Sequence, residues 1–122
     1  MSLVKDLVAL SETTTEVGIT ANTNSAQGDT SLTATYNVIS TCANAGDAVT
    51  LPAAFVIGQR VYVKNDGAEN ADVFPAAGHD AGGGANTAVV VDDGDFAVFI
   101  GTTASGASPD AAVWTKLMGG TA

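Results

Sequence analysis

The stretch from Thr41 to Gly78 constrains the fold more than any other part of the chain. Ala45-Gly46-Asp47 is a turn signal, and the alternating Ala48-Val49-Thr50-Leu51-Pro52 follows it. Gly58 precedes Arg60-Val61-Tyr62-Val63-Lys64, in which Val61 and Val63 share one face. Asp66-Gly67 is a second turn signal, and Asp72-Val73-Phe74-Pro75 is a short apolar run ended by proline. Period-two alternation broken by Gly, Asp and Pro is the grammar of strands joined by hairpins. No catalytic signature interrupts it.

The same grammar extends in both directions. Gly18 to Ala21 reads as the first strand, and Leu32 to Ile39 as a half-buried one, with Leu32, Ala34, Tyr36 and Val38 on one face. Ala88 to Val91 reads as a further strand, followed by Asp92-Asp93-Gly94-Asp95 and then the strand Phe96 to Ile100. Those two runs look like the clearest hairpin in the chain. Ala112 to Leu117 is the last strand. Asn22 to Ser31 and Gly101 to Asp110 are loop-like, and His79 to Asn86 reads as a flexible tip because of its three consecutive glycines. The echo of Ala45-Gly46-Asp47-Ala48-Val49 in Gly94-Asp95-Phe96-Ala97-Val98 is too short to establish a repeat.

This pattern predicts an all-β domain over residues 18–122: a small antiparallel β-sandwich or barrel, jelly-roll-like in its run of short strands. Residues 1–17 form a separate arm, extended or short-helical. Leu3, Val4, Leu7, Val8 and Leu10 supply an apolar stripe too short to stand as a free helix. The arm is expected to gain order by lying on a neighbour.

The chain of 122 residues suits a single domain with a modest core. Its hydrophobic share is 46%, but four Phe, one Trp and two Tyr are its only bulky aromatic pieces. Charged residues are 14%, so part of the apolar surface is expected to be covered in an oligomer. Phe96 and Phe99 fall on opposite faces of one strand, and with Tyr62 and Trp114 they are the candidate subunit-interface residues.

A net charge of −9 with only Lys5, Arg60, Lys64 and Lys116 as cations argues against nucleic acid or an anionic membrane as partner. Arg60 and Lys64 flank a strand, as charges that protect a sheet edge do. No run approaches membrane-spanning length, and MSLVKDLVAL lacks the apolar core and cleavage site of a signal peptide.

The residues that carry chemistry elsewhere have bland readings here. Cys42 is the single cysteine, in a small-residue segment, and reads as a buried small hydrophobe rather than a nucleophile paired with His79. His79-Asp80 borders the triple-Gly stretch and reads as an exposed loop pair or subunit contact. Gly82-Gly83-Gly84 lacks the Lys-Ser/Thr of a phosphate loop. Asp92, Asp93 and Asp95 resemble part of a calcium loop without its ligand spacing, and Asp66, Glu69 and Asp72 straddle a turn. No catalytic residue, cofactor or metal ligand is expected, and the chain reads as a non-enzyme.

Several phrases together carry a resemblance: Gly18-Ile19-Thr20-Ala21, Asn37-Val38, Ala45-Gly46-Asp47, Leu51-Pro52-Ala53-Ala54, Gly58, Val63 to Gly67, Val73-Phe74-Pro75-Ala76 and Trp114. Over residues 18–116 their order resembles that of capsid cement (decoration) proteins of tailed bacteriophages, notably cyanophage-like viruses; similar modules occur in phage fibre and tail proteins. The resemblance implies a β-rich homotrimer, made in the host cytoplasm, that binds the major capsid protein on the outer surface of the virion. Leu3, Val4, Leu7, Val8 and Leu10 would then be the capsid-contact arm. The alternative is a tail-fibre or tailspike-associated module that adheres to a host-surface glycan. The chain lacks shaft repeats and heptads and opens on its own Met, which favours the free-standing cement protein.

Overall fold

Runs of Val, Ile, Thr, Tyr and Phe between Gly, Asn and Asp build strands, and the computed structural model contains eight of them among the residues it describes, 14–23, 26–53, 57–103 and 112–118. They are β1 (Thr15–Thr20), β2 (Tyr36–Thr41), β3 (Asp47–Thr50), β4 (Arg60–Asn65), β5 (Ala71–Phe74), β6 (Val89–Val91), β7 (Phe96–Thr103) and β8 (Val113–Met118). No helix occurs among the described residues. The larger sheet has the order β1-β2-β4-β7-β8, and the smaller one β3-β5-β6. The expected all-β class is observed, and of the sandwich and the barrel that the pattern allowed, the two sheets form a sandwich. The apolar stripe at Leu3–Leu10 lies outside the described residues, and Thr15 to Val17, assigned to the arm by the sequence, belong to β1.

The strand pairing differs from the expected antiparallel, hairpin-linked one. β1 and β2, β2 and β4, and β3 and β5 are all parallel. β2 leads into β3 in the other sheet, and β4 leads into β5 in the same way. The chain therefore winds as a coil: β4 lies on β2 with Tyr36 opposite Tyr62, and β5 lies on β3 with Val49 opposite Val73. The turn signals Ala45-Gly46-Asp47 and Asp66-Gly67 mark corners between sheets. Asp92-Asp93-Gly94-Asp95 is a corner too, because β6 pairs with β5 and β7 pairs with β4. Local turn chemistry is alike in a hairpin and a corner; the partner is chosen by which sheet buries the strand.

The three corners stack. Gly46 N–H donates to the Asn70 carbonyl, Glu69 N–H to the Cys42 carbonyl, and Asp66 N–H to the Ile39 carbonyl. Asn65 ties the next layer: its Nδ2 donates to the carbonyls of Glu69 and Val91, and its Oδ1 accepts from Gly67 N–H. These bonds satisfy backbone polar groups where the chain leaves the sheets. The other edge of the smaller sheet is covered by Asn22, Thr30 and Leu32, which exchange backbone hydrogen bonds with Ala48 and Thr50.

The core fills the space between the sheets. Ile19, Ile39, Val61, Val63, Ala97, Phe99 and Trp114 come from the larger sheet, and Val49, Ala71, Val73 and Val91 from the smaller. Inward and outward positions alternate as the pleat requires. One phase change departs from the sequence pattern. Leu32 and Ala34 are buried, but beyond the bend at Ala34-Thr35 it is Asn37 and Ile39 that turn inward, and Tyr36 faces out. Asn37 Nδ2 donates to the Ala34 and Tyr62 carbonyls and pins the bend. A second irregularity lies at Gly18, whose φ of 76° accommodates the register shift that leaves Val17 exposed and Ile19 buried.

Candidate interaction surface

The outer face of the larger sheet carries the exposed aromatic and aliphatic side chains that the core does not take. Four strands place one residue each in a single row: Tyr36 pairs with Tyr62, Tyr62 with Val98, and Val98 with Leu117. Facing positions in adjacent strands share a side of the sheet, so the row is continuous. The Tyr36 and Tyr62 rings stack at 4.3 Å between centroids, with 22° between their planes. A second row, one pleat along, runs through Val38, Lys64 and Phe96, and Ile100 stands beside Arg60 in a third. Exposure is 38% at Tyr36, 40% at Phe96 and 49% at Leu117, high for side chains of this size in adjacent rows.

Charge on this face is as distinctive as its hydropathy. The chain has 13 acidic and four basic side chains, yet among the described residues the outward positions of β2, β4, β7 and β8 hold no Asp or Glu. They do hold Arg60 and Lys64. Lys64 pairs with Asp66 at the rim, where its ammonium also reaches the Gly94 carbonyl. Acidic side chains gather at the corner end instead, where Asp47, Asp66, Glu69, Asp92, Asp93 and Asp95 lie in or beside the three corners. β4 is the central strand of its sheet, so Arg60 and Lys64 do not guard an edge as their spacing suggests.

Of the candidate interface residues, Tyr62 and Phe96 lie on this face. Phe99 and Trp114 do not: both are fully buried in the core and have no surface to offer a partner. Phe96 and Phe99 do face opposite sides of β7, as the sequence suggests. Tyr36, Val98 and Leu117 carry no such signal in the sequence, because a row across strands becomes visible only when pairing is known. Leu3, Val4, Leu7, Val8 and Leu10 lie outside the described residues.

A cleft of about 430 Å³ adjoins the end of this face away from the corners, lined by Ser31 to Thr35, Pro52, Ala53 and Gln59 to Val61. Arg60 belongs to both the cleft and the face.

Cys42, His79, Asp80 and Asp95 are each engaged by the surrounding backbone. Cys42 is buried, and its thiol points at the Asn70 and Asn44 carbonyls, 3.4 Å and 3.6 Å away. Burial first, then the charges of Asp47, Glu69 and Asp72, push that thiol above its ordinary pKa and disfavour the thiolate. His79 is buried, not exposed as its glycine-rich setting implies, and its backbone bonds to Ala76 and Asn86 close the loop around it. The glycines that follow are also ordered: Asp80 Oδ1 accepts from Gly82 N–H and Gly84 N–H, a nest filled by the chain's own carboxylate. At the third corner Asp95 Oδ1 accepts from Phe96 N–H, and Asp93 N–H donates to Asn70 Oδ1. No group of three or more His, Cys, Asp or Glu among the described residues is placed to hold a metal ion.

The chain matches no family model, no curated protein and no solved structure.

Proposed function

We propose that this chain is a non-enzymatic structural protein of a tailed-bacteriophage virion: a cement protein that trimerises and binds the outer surface of the shell formed by the major capsid protein. The order of phrases in the sequence suggests the family. The observation that carries the reading is the apolar, carboxylate-free outer face of the larger sheet on a protein of net charge −9. A surface of that kind suits lasting contact with another protein, while the acidic remainder suits exposure to solvent and repels nucleic acid.

The mechanism is adhesive. Each copy contributes a modest contact, and three linked copies engage together, so that the second and third contacts form at high effective concentration. The arm, through Leu3, Val4, Leu7, Val8 and Leu10, extends the hold to a shell subunit or a neighbouring copy. Protein made in the host cytoplasm would add to the shell from outside.

The test is re-addition. Shells from a virus lacking this protein are mixed with the purified chain, washed and heated. Saturable binding in fixed ratio to the major capsid protein, with a higher disruption temperature, is the expected result. No binding to shells, together with selective binding on a glycan array, would replace this reading with adhesion to a host surface.

A further inference from the structure

We propose that the cleft beside Arg60 binds an extended segment of another protein, and that Arg60 anchors a carboxylate on that segment. The site is separate from the apolar row and stands whether or not the chain belongs to a shell.

The cleft lies where the chain passes between the sheets, at the end away from the corners. Ser31 to Thr35 lead from the strip beside β3 into β2, and Pro52, Ala53 and Gln59 to Val61 lie on the way from β3 to β4. At the corner end, successive passes of the chain bond to each other, Gly46 to Asn70 and Glu69 to Cys42. Here one backbone bond, from Tyr62 N–H to the Thr35 carbonyl, joins the two passes, and the cleft of about 430 Å³ opens beside it. That volume falls among those of ligand clefts, about 300–1,000 Å³.

One wall offers the edge of an extended chain. Leu32 and Ala34 are buried and Thr33 is exposed, the alternation of a strand. Leu32 N–H donates to the Thr50 carbonyl, whereas among the described residues the N–H and C=O of Thr33 bond to no other group. A peptide laid along such an edge gains main-chain hydrogen bonds, and its side chains are selected by the surface beside it. That surface is apolar at Pro52, Ala53 and Val61. No aromatic side chain lines the cleft, so nothing there stacks on a sugar ring.

Charge specifies the rest of the ligand. Lys64 pairs with Asp66, and Lys116 donates to the Val90 carbonyl. The Arg60 side chain is exposed at the cleft and has no hydrogen-bond or ion-pair partner among the described residues. A planar guanidinium matches a carboxylate through two parallel hydrogen bonds. One cation on a protein of net charge −9 balances a single negative charge, and the surrounding field disfavours a multiply charged group such as phosphate.

The experiment uses the full chain and an array of randomised N-acetylated hexapeptide amides. One position is fixed as Asp in one pool and as Asn in a matched pool. The Asp pool should retain the chain about tenfold more strongly, as expected for a charge-assisted pair. Arg60→Gln should remove that preference without changing the circular dichroism, and Arg60→Lys should restore part of it. The best Asp peptide, added to isotope-labelled chain, should shift the amide signals of Thr33 and Arg60. Equal retention of the two pools, no retention of either, an unchanged preference in Arg60→Gln, or shifts confined to Tyr62 and Leu117 overturns the proposal. Binding to uronate-bearing glycans with none to peptides overturns it too, and gives the cleft to an acidic sugar. None of these outcomes depends on virions, so this site and the shell-protein reading fail separately.

Discussion

Tyr36 stacks on Tyr62, 26 positions later in the chain, because β2 and β4 are parallel and in register there. That pair marks one turn of the coil and opens the apolar row on the outer face. The Tyr36 hydroxyl is raised above its ordinary pKa, first by a hydrogen bond with Tyr62 and then by the charge on that neighbour. An alkaline titration followed by ultraviolet absorbance should show a tyrosine ionising above the usual value near 10. In Tyr62→Phe that late step should return toward the ordinary range. A wild-type titration with no late step would show that the two hydroxyls do not interact.

The stacked corners predict a severe effect from a small change. A β-carbon on Gly67 would lie 2.5 Å from the Cys42 backbone nitrogen and 2.6 Å from the Cys42 β-carbon, so one corner would have to lift off the other. Gly67→Ala should destabilise the fold by about 1–3 kcal/mol, measured by urea denaturation. Gly94→Ala meets no atom at its β-carbon, and its penalty should come from its φ of 76° alone. Equal midpoints for the Gly67 variant and wild type would contradict the corner packing.

Phe96 and Phe99, three residues apart, should respond in opposite ways. Phe99→Ala empties a fully buried site between the sheets and should cost about 3–5 kcal/mol. Phe96→Ser removes a side chain that is 40% exposed and should leave monomer stability within about 0.5 kcal/mol while reducing self-association. Matching losses of stability in both would mean that the face assignment is wrong.

Asp72 lies on β5 between Ala48 and Val90, and desolvation there raises its pKa. The sign follows from the extra proton the folded state binds. Stability is greatest below the unfolded carboxyl value and falls as pH rises through the window up to the raised folded value. Asp72→Asn should therefore be more stable than wild type at neutral pH, with the advantage shrinking as the pH drops through that window. Thermal melts at a series of pH values would show it; an advantage that grows on acidification would contradict it.

Strand positions are legible in the sequence to within a few residues, since alternation and Gly, Pro and Asp breaks are local signals. Partners are not. Asp66-Gly67 and Asp92-Asp93-Gly94-Asp95 look like hairpin turns, but each carries the chain from one sheet to the other. One signal for the coil is present: Val49-Thr50-Leu51-Pro52-Ala53-Ala54 recurs loosely as Val73-Phe74-Pro75-Ala76-Ala77, and Tyr36 recurs as Tyr62. Its spacing differs between the two strand pairs, with Tyr36 opposite Tyr62 in one and Val49 opposite Val73 in the other, which hides it from a fixed-period search. The buried state of His79 is hidden by its glycine-rich surroundings. Part of the interaction surface, Tyr62 and Phe96, is recognisable by residue type, whereas Tyr36, Val98 and Leu117 join it only through strand order.

Copy number in purified virions, by quantitative mass spectrometry against the major capsid protein, tests the shell-protein reading most directly. The reading predicts a fixed ratio close to that of a shell component, constant between preparations. A handful of copies per particle, as for a tail appendage, or absence from particles altogether, would contradict it.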